Sequence, residues 1–407
     1  MSKLDELIRE LCPDGVEYKR FDEVCTLNAR IGWQRLTKAE YMSKGDYLLI
    51  TGTDFTETHE IDYSTCVYVT EERYKQDPKI QLKNGDILIT KDGTLGKVAQ
   101  VKGLAMPATL NGGVFVVRCK DSSLENRFIL HYLLSNHFQS VVEQQKTGST
   151  ISHLTQTLFS RLMIPIPPLE IQREIVRILD NFTDLTEDLT ADLTARQKQY
   201  AFYRNKLLTF GKTEGARIER IPLGDIGSIC MCKRILKSQT NTVSGVPFYK
   251  IGTFGKEADA YISQETFNEY RSKYNFPKKG DVLISAAGTI GRTVVYDGKP
   301  AYFQDSNIVW IDNDESIVLN SYLRYCYELK PWKASEGGTI PRLYNDNIAK
   351  TVIAVPSIEE QKRVVSILDR FDAICNDLTG GLPAEIEARQ KQYEYYRDKL
   401  LTFKERG

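Results

Sequence analysis

Two short turns bounded by glycines end in a cation: Gly93-Thr94-Leu95-Gly96-Lys97 and Gly288-Thr289-Ile290-Gly291-Arg292. Glycine lets the chain turn tightly and leaves backbone amides open to approach. A cation beside such amides can neutralise a phosphate. The same pattern also suits a plain hairpin turn with a solvated cation, and at this level both readings stand. A second pair of segments is Lys146-Thr147-Gly148-Ser149-Thr150-Ile151-Ser152-His153 and Gly337-Gly338-Thr339-Ile340-Pro341-Arg342. Each sets hydroxyls and a basic or imidazole group just ahead of an expected helix start. Helix N-termini favour anions, and Thr150 or Ser152 serves equally well as a simple cap.

Patterns that would make the chain an enzyme are missing. Gly211-Lys212-Thr213 ends like a phosphate-binding loop, but Lys206 stands where the loop's first glycine belongs and no strand precedes it. Ile166-Pro167-Pro168-Leu169 lacks the amide with which an amino-group methyltransferase holds its target, and no Pro-Cys motif or Gly-x-Ser-x-Gly elbow occurs. His59, His131, His137 and His153 show no metal-ligand spacing. Packing or surface roles are expected for them. Of the eight cysteines only Cys230 and Cys232 are close, with too few ligands nearby for a metal. Reduced thiols in a cytoplasmic protein are the expectation.

Two similar sets of elements must position these residues. Leu4, Leu7, Ile8 and Leu11 share one face of an expected helix over residues 1–12. Strands are expected at 47–51, 86–90 and 114–117, then helical spacing over 125–143 and a short helix near 152–162. Ile164-Pro165-Ile166-Pro167-Pro168 predicts a stiff extended connector. From Glu170 a long helix follows, its apolar seam including Leu185, Leu189 and Leu193. Consecutive steps of four across those leucines form a stutter, in register with the tetrads Thr186-Glu187-Asp188-Leu189 and Thr190-Ala191-Asp192-Leu193. Residues 171–208 would span roughly 55 Å as a helix.

The second half replays the first. Residues 195–210 (ARQKQYAFYRNKLLTF) and 388–403 (ARQKQYEYYRDKLLTF) agree at thirteen of sixteen positions. That is an internal duplication. The second long helical pattern includes Leu378, Leu382 and Ile386. It carries Gly380-Gly381-Leu382-Pro383, with Gly380 suited to end a helix and Pro383 to begin one. A break near 380–383 is expected. The globular blocks have diverged much more than the helices, as expected of two related readers of different targets or of drifting loops.

With 407 residues, two or more domains are expected. Hydrophobic residues at 41% and charged residues at 27% fit a globular chain. Net charge is zero and residues 214–354 hold 18 Lys+Arg against 16 Asp+Glu, so any nucleic-acid surface must be local. There is no apolar run long enough for a membrane span, and the charged N-terminal helix does not read as a signal peptide.

The layout resembles the specificity subunit of type I restriction–modification enzymes. The resemblance is carried by the twin ARQKQY segments, the Ile178-Leu179-Asp180 and Ile367-Leu368-Asp369 runs and the Gly381-Leu382-Pro383 turn. The tetrads resemble the Thr-Ala-Glu-Leu repeats of the type IC branch, with Asp in place of Glu. The resemblance implies an α+β chain of two similar α/β target-recognition domains, separated by two long helices that pack as an antiparallel coiled coil with pseudo-twofold symmetry. Its segments would be a first recognition domain (1–165), a central helical spacer (166–213), a second recognition domain (214–354) and a C-terminal spacer (355–407). It implies no catalysis and no cofactor or metal in this chain. Each domain would read half of a bipartite, asymmetric site on double-stranded DNA. Two methyltransferase subunits using S-adenosylmethionine would dock on the helices, and two restriction subunits using ATP and Mg can join. The setting would be cytoplasmic, in host defence. DNA-facing residues expected on this basis are Lys91, Lys97, Lys146, Ser149, Thr150 and His153 in the first domain. In the second they are Lys250, Arg292, Asn307, Arg342 and Tyr344. The rival readings are a stand-alone DNA methyltransferase, which needs the missing motifs, and a coiled-coil adaptor without DNA, which leaves the paired globular blocks unexplained.

Overall fold

The computed structural model describes residues 2–146, 153–159, 161–210, 218–332 and 342–407, without the side chains of 33, 145 and 146. Ser149 and Thr150, and the side chain of Lys146, therefore lie outside the described residues. By contact the chain divides into two compact units, Met1–Ala191 with Ala384–Gly407, and Asp192–Pro383. The spacers are thus not separate bodies, and their helices are shared out between the units.

The first unit is built on a four-stranded antiparallel sheet in the order Cys25–Asn28, Val114–Cys119, Ile87–Thr90, Val98–Gln100. Its strands read as apolar runs rather than alternations because both faces are covered. Ile87, Ile89, Phe115 and Val117 face the helices and pack with Phe128 and Leu133. Leu88, Val114 and Val116 face a second sheet and pack with Leu48, Ile50 and Ala108. That sheet runs Val67–Tyr68, Leu48–Ile50, Ala108–Leu110, the last two strands parallel. Ile89 is completely buried, which contributes roughly 1.5–3 kcal/mol at such a position.

The second unit repeats this plan. Gly227–Cys230, Ile308–Asn313, Val282–Ser285 and Thr293–Val295 form the central sheet. Ile284, Val309 and Ile311 face the helices, while Leu283, Ile308 and Trp310 face the second sheet. Gly227 is required by close approach, since a Cβ there would lie 2.2 Å from the Asp312 carbonyl oxygen.

Several local expectations change. Ile164-Pro165-Ile166 is not a free connector: Met163–Ile166 pairs antiparallel with Glu17–Arg20, with Pro165 opposite Tyr18. Proline is tolerated because this ribbon has only two strands. The helix expected over 125–143 is two helices, Asn126–Leu134 and Asn136–Lys146. Ser135 between them is extended, and its hydroxyl bonds to the Tyr132 carbonyl at 2.6 Å. The short helix near 152–162 is described only at Gln156–Phe159.

The central helix runs unbroken from Leu169 to Thr209. The threonines of its tetrads satisfy their own hydroxyls, Thr186 on the Phe182 carbonyl at 2.8 Å and Thr190 on the Thr186 carbonyl at 2.7 Å. The second long helix is interrupted, as Ile358–Asn376 and Leu382–Leu400. The reason is not a left-handed Gly380. Neither Gly380 nor Gly381 has positive φ, but a Cβ on Gly381 would lie 2.5 Å from the Ala373 carbonyl oxygen. Pro383 is second in its helix rather than first. The helix stops before Leu378, which is therefore not a seam residue; it sits in the turn and is 75% exposed. Leu185 is also exposed, while Leu189, Leu382 and Ile386 are half-buried and Leu193 packs against the core of the second unit.

The twin sixteen-residue segments lie in opposite units from the recognition blocks that precede them. In the first unit Tyr396 stacks on Phe182 at 5.5 Å, and in the second Tyr203 stacks on Phe371 at 5.7 Å.

Candidate functional site

Both units carry a cleft at the same point of the fold. In the first, the Lys91 amide donates to the Gly113 carbonyl at 2.9 Å and the Leu154 amide donates to the Lys91 carbonyl at 3.1 Å. In the second, the Ala286 amide donates to the Asn307 carbonyl at 2.7 Å and the Leu343 amide to the Ala286 carbonyl at 2.8 Å. These bonds hold together a strand end, the loop before the longest strand, and the segment leading into a short helix. Lys91 thereby corresponds to Ala286, Gly113 to Asn307, and His153 to Arg342.

The first cleft has a volume of about 930 Å³ and is lined by Arg35, Lys38, Tyr41, Thr51, Lys91, Asn111 and His153, among others. Lys91 lies 5.1 Å from the Phe115 ring centroid, and His153 pairs with Asp92. Arg30 is buried in the wall, donating to the Leu110 carbonyl at 2.9 Å and to Thr109 Oγ1 at 3.2 Å. The second cleft, about 590 Å³, is lined by Met231, Ser306, Arg342, Tyr344, Asn345 and Asn347, among others. Its Arg342 donates to the Ser306 carbonyl at 3.3 Å and lies against the Tyr344 ring. Mixed cations, amides and hydroxyls in a concave site can address both phosphates and base edges.

The structure therefore brings Lys91 and His153 into one cleft, and Arg342 and Tyr344 into the other, while Asn307 takes part beside it through its backbone carbonyl. Three expected residues stand apart. Lys97 is exposed beyond the cleft, Arg292 is turned back to the Phe254 carbonyl at 2.8 Å, and Lys250 pairs with Asp259 at 2.9 Å. The glycine turns carry structural demands. The Gly96 and Gly291 amides close on the Thr90 and Ser285 carbonyls, both at 2.9 Å. The Lys97 and Arg292 amides close on the hydroxyls of the same two residues, also both at 2.9 Å. Gly96 and Gly291 have positive φ, and a Cβ would lie 2.8 Å from Val142 and 2.6 Å from Trp332 respectively. Arg35, Lys38, Tyr41 and Asn111 were not expected. A signal did exist: Arg30 to Lys38 holds three cations and no acid.

A second duplicated device fastens each helix to its domain. Gln172 is fully buried; its amide nitrogen donates to the Ser123 and Pro167 carbonyls, both at 2.8 Å, and its oxygen accepts the Glu125 amide at 2.9 Å. Gln361 repeats this with the Ile317 and Pro356 carbonyls and the Leu319 amide, all at 2.9 Å. Further along the helix, Asp180 Oδ1 takes the ring of His131 at 2.8 Å, and the other ring nitrogen meets the Tyr393 hydroxyl at 2.9 Å. A carboxylate only accepts, so neutral His131 donates from Nε2 and accepts from Tyr393 at Nδ1. Burial holds its pKa below the usual histidine value, outweighing the attraction of Asp180. In the second unit Tyr325 donates to Asp369 at 2.5 Å, while Tyr200 donates to Glu328 at 3.0 Å. Among the described residues no group of three potential ligands could hold a metal.

Two α+β units of one plan, each with a cleft of divergent lining on a shared framework, define a duplicated two-unit protein. The family described as type I restriction modification DNA specificity domain matches residues 13–196 and again 217–388, and the chain belongs to it. It is 54% identical to a putative type I restriction enzyme specificity subunit of Haemophilus influenzae, over 72% of this chain and 76% of the relative. It is 30% identical to the EcoR124I/EcoR124II specificity subunit of Escherichia coli, over 71% of this chain and 73% of that one. Among solved structures, the fold resembles a chain from a study of type I restriction–modification complex assembly and conformational transition, with a TM-score of 0.59 at 18% identity, covering 95% of this chain and 97% of that one. It also resembles the S subunit of Mycoplasma genitalium, with a TM-score of 0.53 at 15% identity, covering 95% of this chain and 96% of that one. No helix among the described residues is long and apolar enough to cross a membrane.

Proposed function

We propose that this specificity subunit reads a bipartite, asymmetric site on double-stranded DNA, one half in each cleft, and is itself non-catalytic. The observation that carries the reading is the pair of clefts. The same hydrogen bonds build both, yet one is lined by Lys91, Asn111 and His153 and the other by Ser306, Arg342 and Tyr344. A shared frame with different lining reads different half-sites on one scaffold. The unbroken central helix sets the distance between them. Two methyltransferase subunits dock on the helical regions, because duplicated surfaces suit two copies of one partner. They supply the S-adenosylmethionine chemistry, and restriction subunits supply that of ATP and Mg. The tetrads of the central helix support placement in the type IC branch.

The test is to co-express the chain with the methyltransferase subunit of its system and map methylated sites on a plasmid. A bipartite motif is expected. Arg342→Ala should relax one half of it and Lys91→Ala the other. Loss of both halves together in either variant would overturn the assignment of one half per cleft. Methylation by the chain alone would overturn the non-catalytic reading.

A further inference from the structure

The twin helical segments each leave one aromatic side chain mostly in solvent, beside a neighbour that is less exposed. Phe202 is 61% exposed and its counterpart Tyr395 is 60% exposed. Each is held in the same way. Phe202 meets Tyr203 edge-on at 5.3 Å and 77°, and Tyr203 stacks on Phe371. Tyr395 meets Tyr396 edge-on at 5.2 Å and 76°, and Tyr396 stacks on Phe182. The inner ring is thus spent on the unit's own helix while the outer ring is fixed outward. A pre-set, exposed aromatic covers much area on binding and loses little freedom.

The surroundings are repeated too. Lys198 and Lys206 lie four residues either side of Phe202, and Lys391 and Lys399 four residues either side of Tyr395. Positions four apart share a helix face, and all four lysines are exposed. Lys399 lies 5.7 Å from the Tyr395 ring centroid, and Lys391 is held by Glu387 at 2.5 Å. Asp398, beside the second patch, is turned inward to accept the Asn136 amide at 2.9 Å. Glu394 stands where the first copy has Ala201, so the first patch is the more cationic.

We infer that Phe202 and Tyr395 are the two anchor residues for the methyltransferase subunits, each entering an apolar pocket rimmed by carboxylates on one of two identical partners. The lysine pairs call for the acidic rim, and the repeated geometry calls for the same occupant twice. This rests on the docking of two methyltransferase subunits proposed above. A duplex backbone is the poorer fit, because a paired helix offers an exposed aromatic no free base to stack on.

The experiment uses the full chain co-expressed with the methyltransferase subunit, with native mass spectrometry of the complex. Phe202→Ala and Tyr395→Ala should each weaken one docking event about 30-fold, reducing the complex to one methyltransferase copy, and the double variant should hold none. Unchanged thermal melting of the free chain is expected, since both rings are exposed. Lys198→Glu with Lys206→Glu, which keeps the aromatic, should weaken the first docking event and invert its salt dependence. If the variants retain two partners and methylate the wild-type bipartite motif, the anchors are wrong while the functional reading stands. If they retain both partners and lose DNA affinity, the face belongs to DNA and the inference falls. A wild-type chain that holds no methyltransferase overturns this inference and the docking on which it rests.

Discussion

Replacing Gln361 by leucine tests whether a single buried amide fastens the penultimate helix to the second recognition domain. The side chain is completely buried and makes three hydrogen bonds, all at 2.9 Å. Leucine is close in size but leaves the Leu319 amide and the Ile317 and Pro356 carbonyls without it. An orphaned buried group costs about 1–3 kcal/mol. Ile317 is exposed, so water can reach its carbonyl, whereas the bond to Pro356 is buried. Two orphaned groups then dominate, and the expected loss is about 3 kcal/mol. With an m-value of about 2 kcal/mol/M, the urea midpoint should fall by roughly 1.5 M. Two of the three tryptophans, Trp310 and Trp332, lie in this unit and are buried, so their fluorescence reports the transition. A midpoint change worth less than about 1 kcal/mol would show that the three bonds contribute nothing net, and would refute the argument for its counterpart Gln172 as well.

Further outcomes follow from the same structure. His131 is buried against Asp180, Tyr393, Arg127 and Arg397, and burial lowers its pKa below 6.5. Below that pH the unfolded chain takes up a proton that the folded unit refuses, so stability is full above it and falls as pH drops through it. Urea midpoints at about pH 7.5 and 5.5 should show the fall, and His131→Gln should reduce it; an equal fall would exclude His131 as its source. Gly288 and Gly291 both have positive φ, but a Cβ meets Ile251 at 3.6 Å in the first case and Trp332 at 2.6 Å in the second. Gly288→Ala should cost about 1 kcal/mol and Gly291→Ala clearly more, as a larger drop in Tm; equal drops would remove the packing argument. Deleting Thr186–Leu189 shortens the central helix by about 6 Å. It should reduce the unread spacer of the methylated motif while leaving both half-sites unchanged, and altered half-site letters would refute the role of the helix as a ruler.

Much of this architecture is written locally and could be read without coordinates. The unbroken central helix follows from its seam and its lack of glycine and proline, and the interruption of its partner from Gly380-Gly381-Leu382-Pro383. The duplication is visible in the twin segments, and the doubly covered strands in runs such as Val114-Phe115-Val116-Val117. These are signals of period and composition, carried by neighbours in the chain. Lys91, His153, Arg342 and Tyr344 were legible as candidates because they flank turns of unusual chemistry. A local pattern with two physical uses is where sequence alone stops: Arg292 and Lys250 are cations in loops like the others, but Arg292 donates to the Phe254 carbonyl and Lys250 pairs at the surface with Asp259.

What the sequence by itself determined is the inventory: two recognition blocks, two long helices, and a pair of helical segments kept alike while the blocks diverged. Only the tertiary structure decided the assignments. It placed each twin segment in the unit opposite to the block before it, set His131 between Asp180 and Tyr393, and made Gln172 and Gln361 the fastenings of their helices. It also left Phe202 and Tyr395 largely in solvent while Tyr203 and Tyr396 stack on the neighbouring helices. A lone glutamine or histidine has no period, and its role depends on groups far away in the chain. Burial and hydrogen-bond satisfaction are properties of the packed whole.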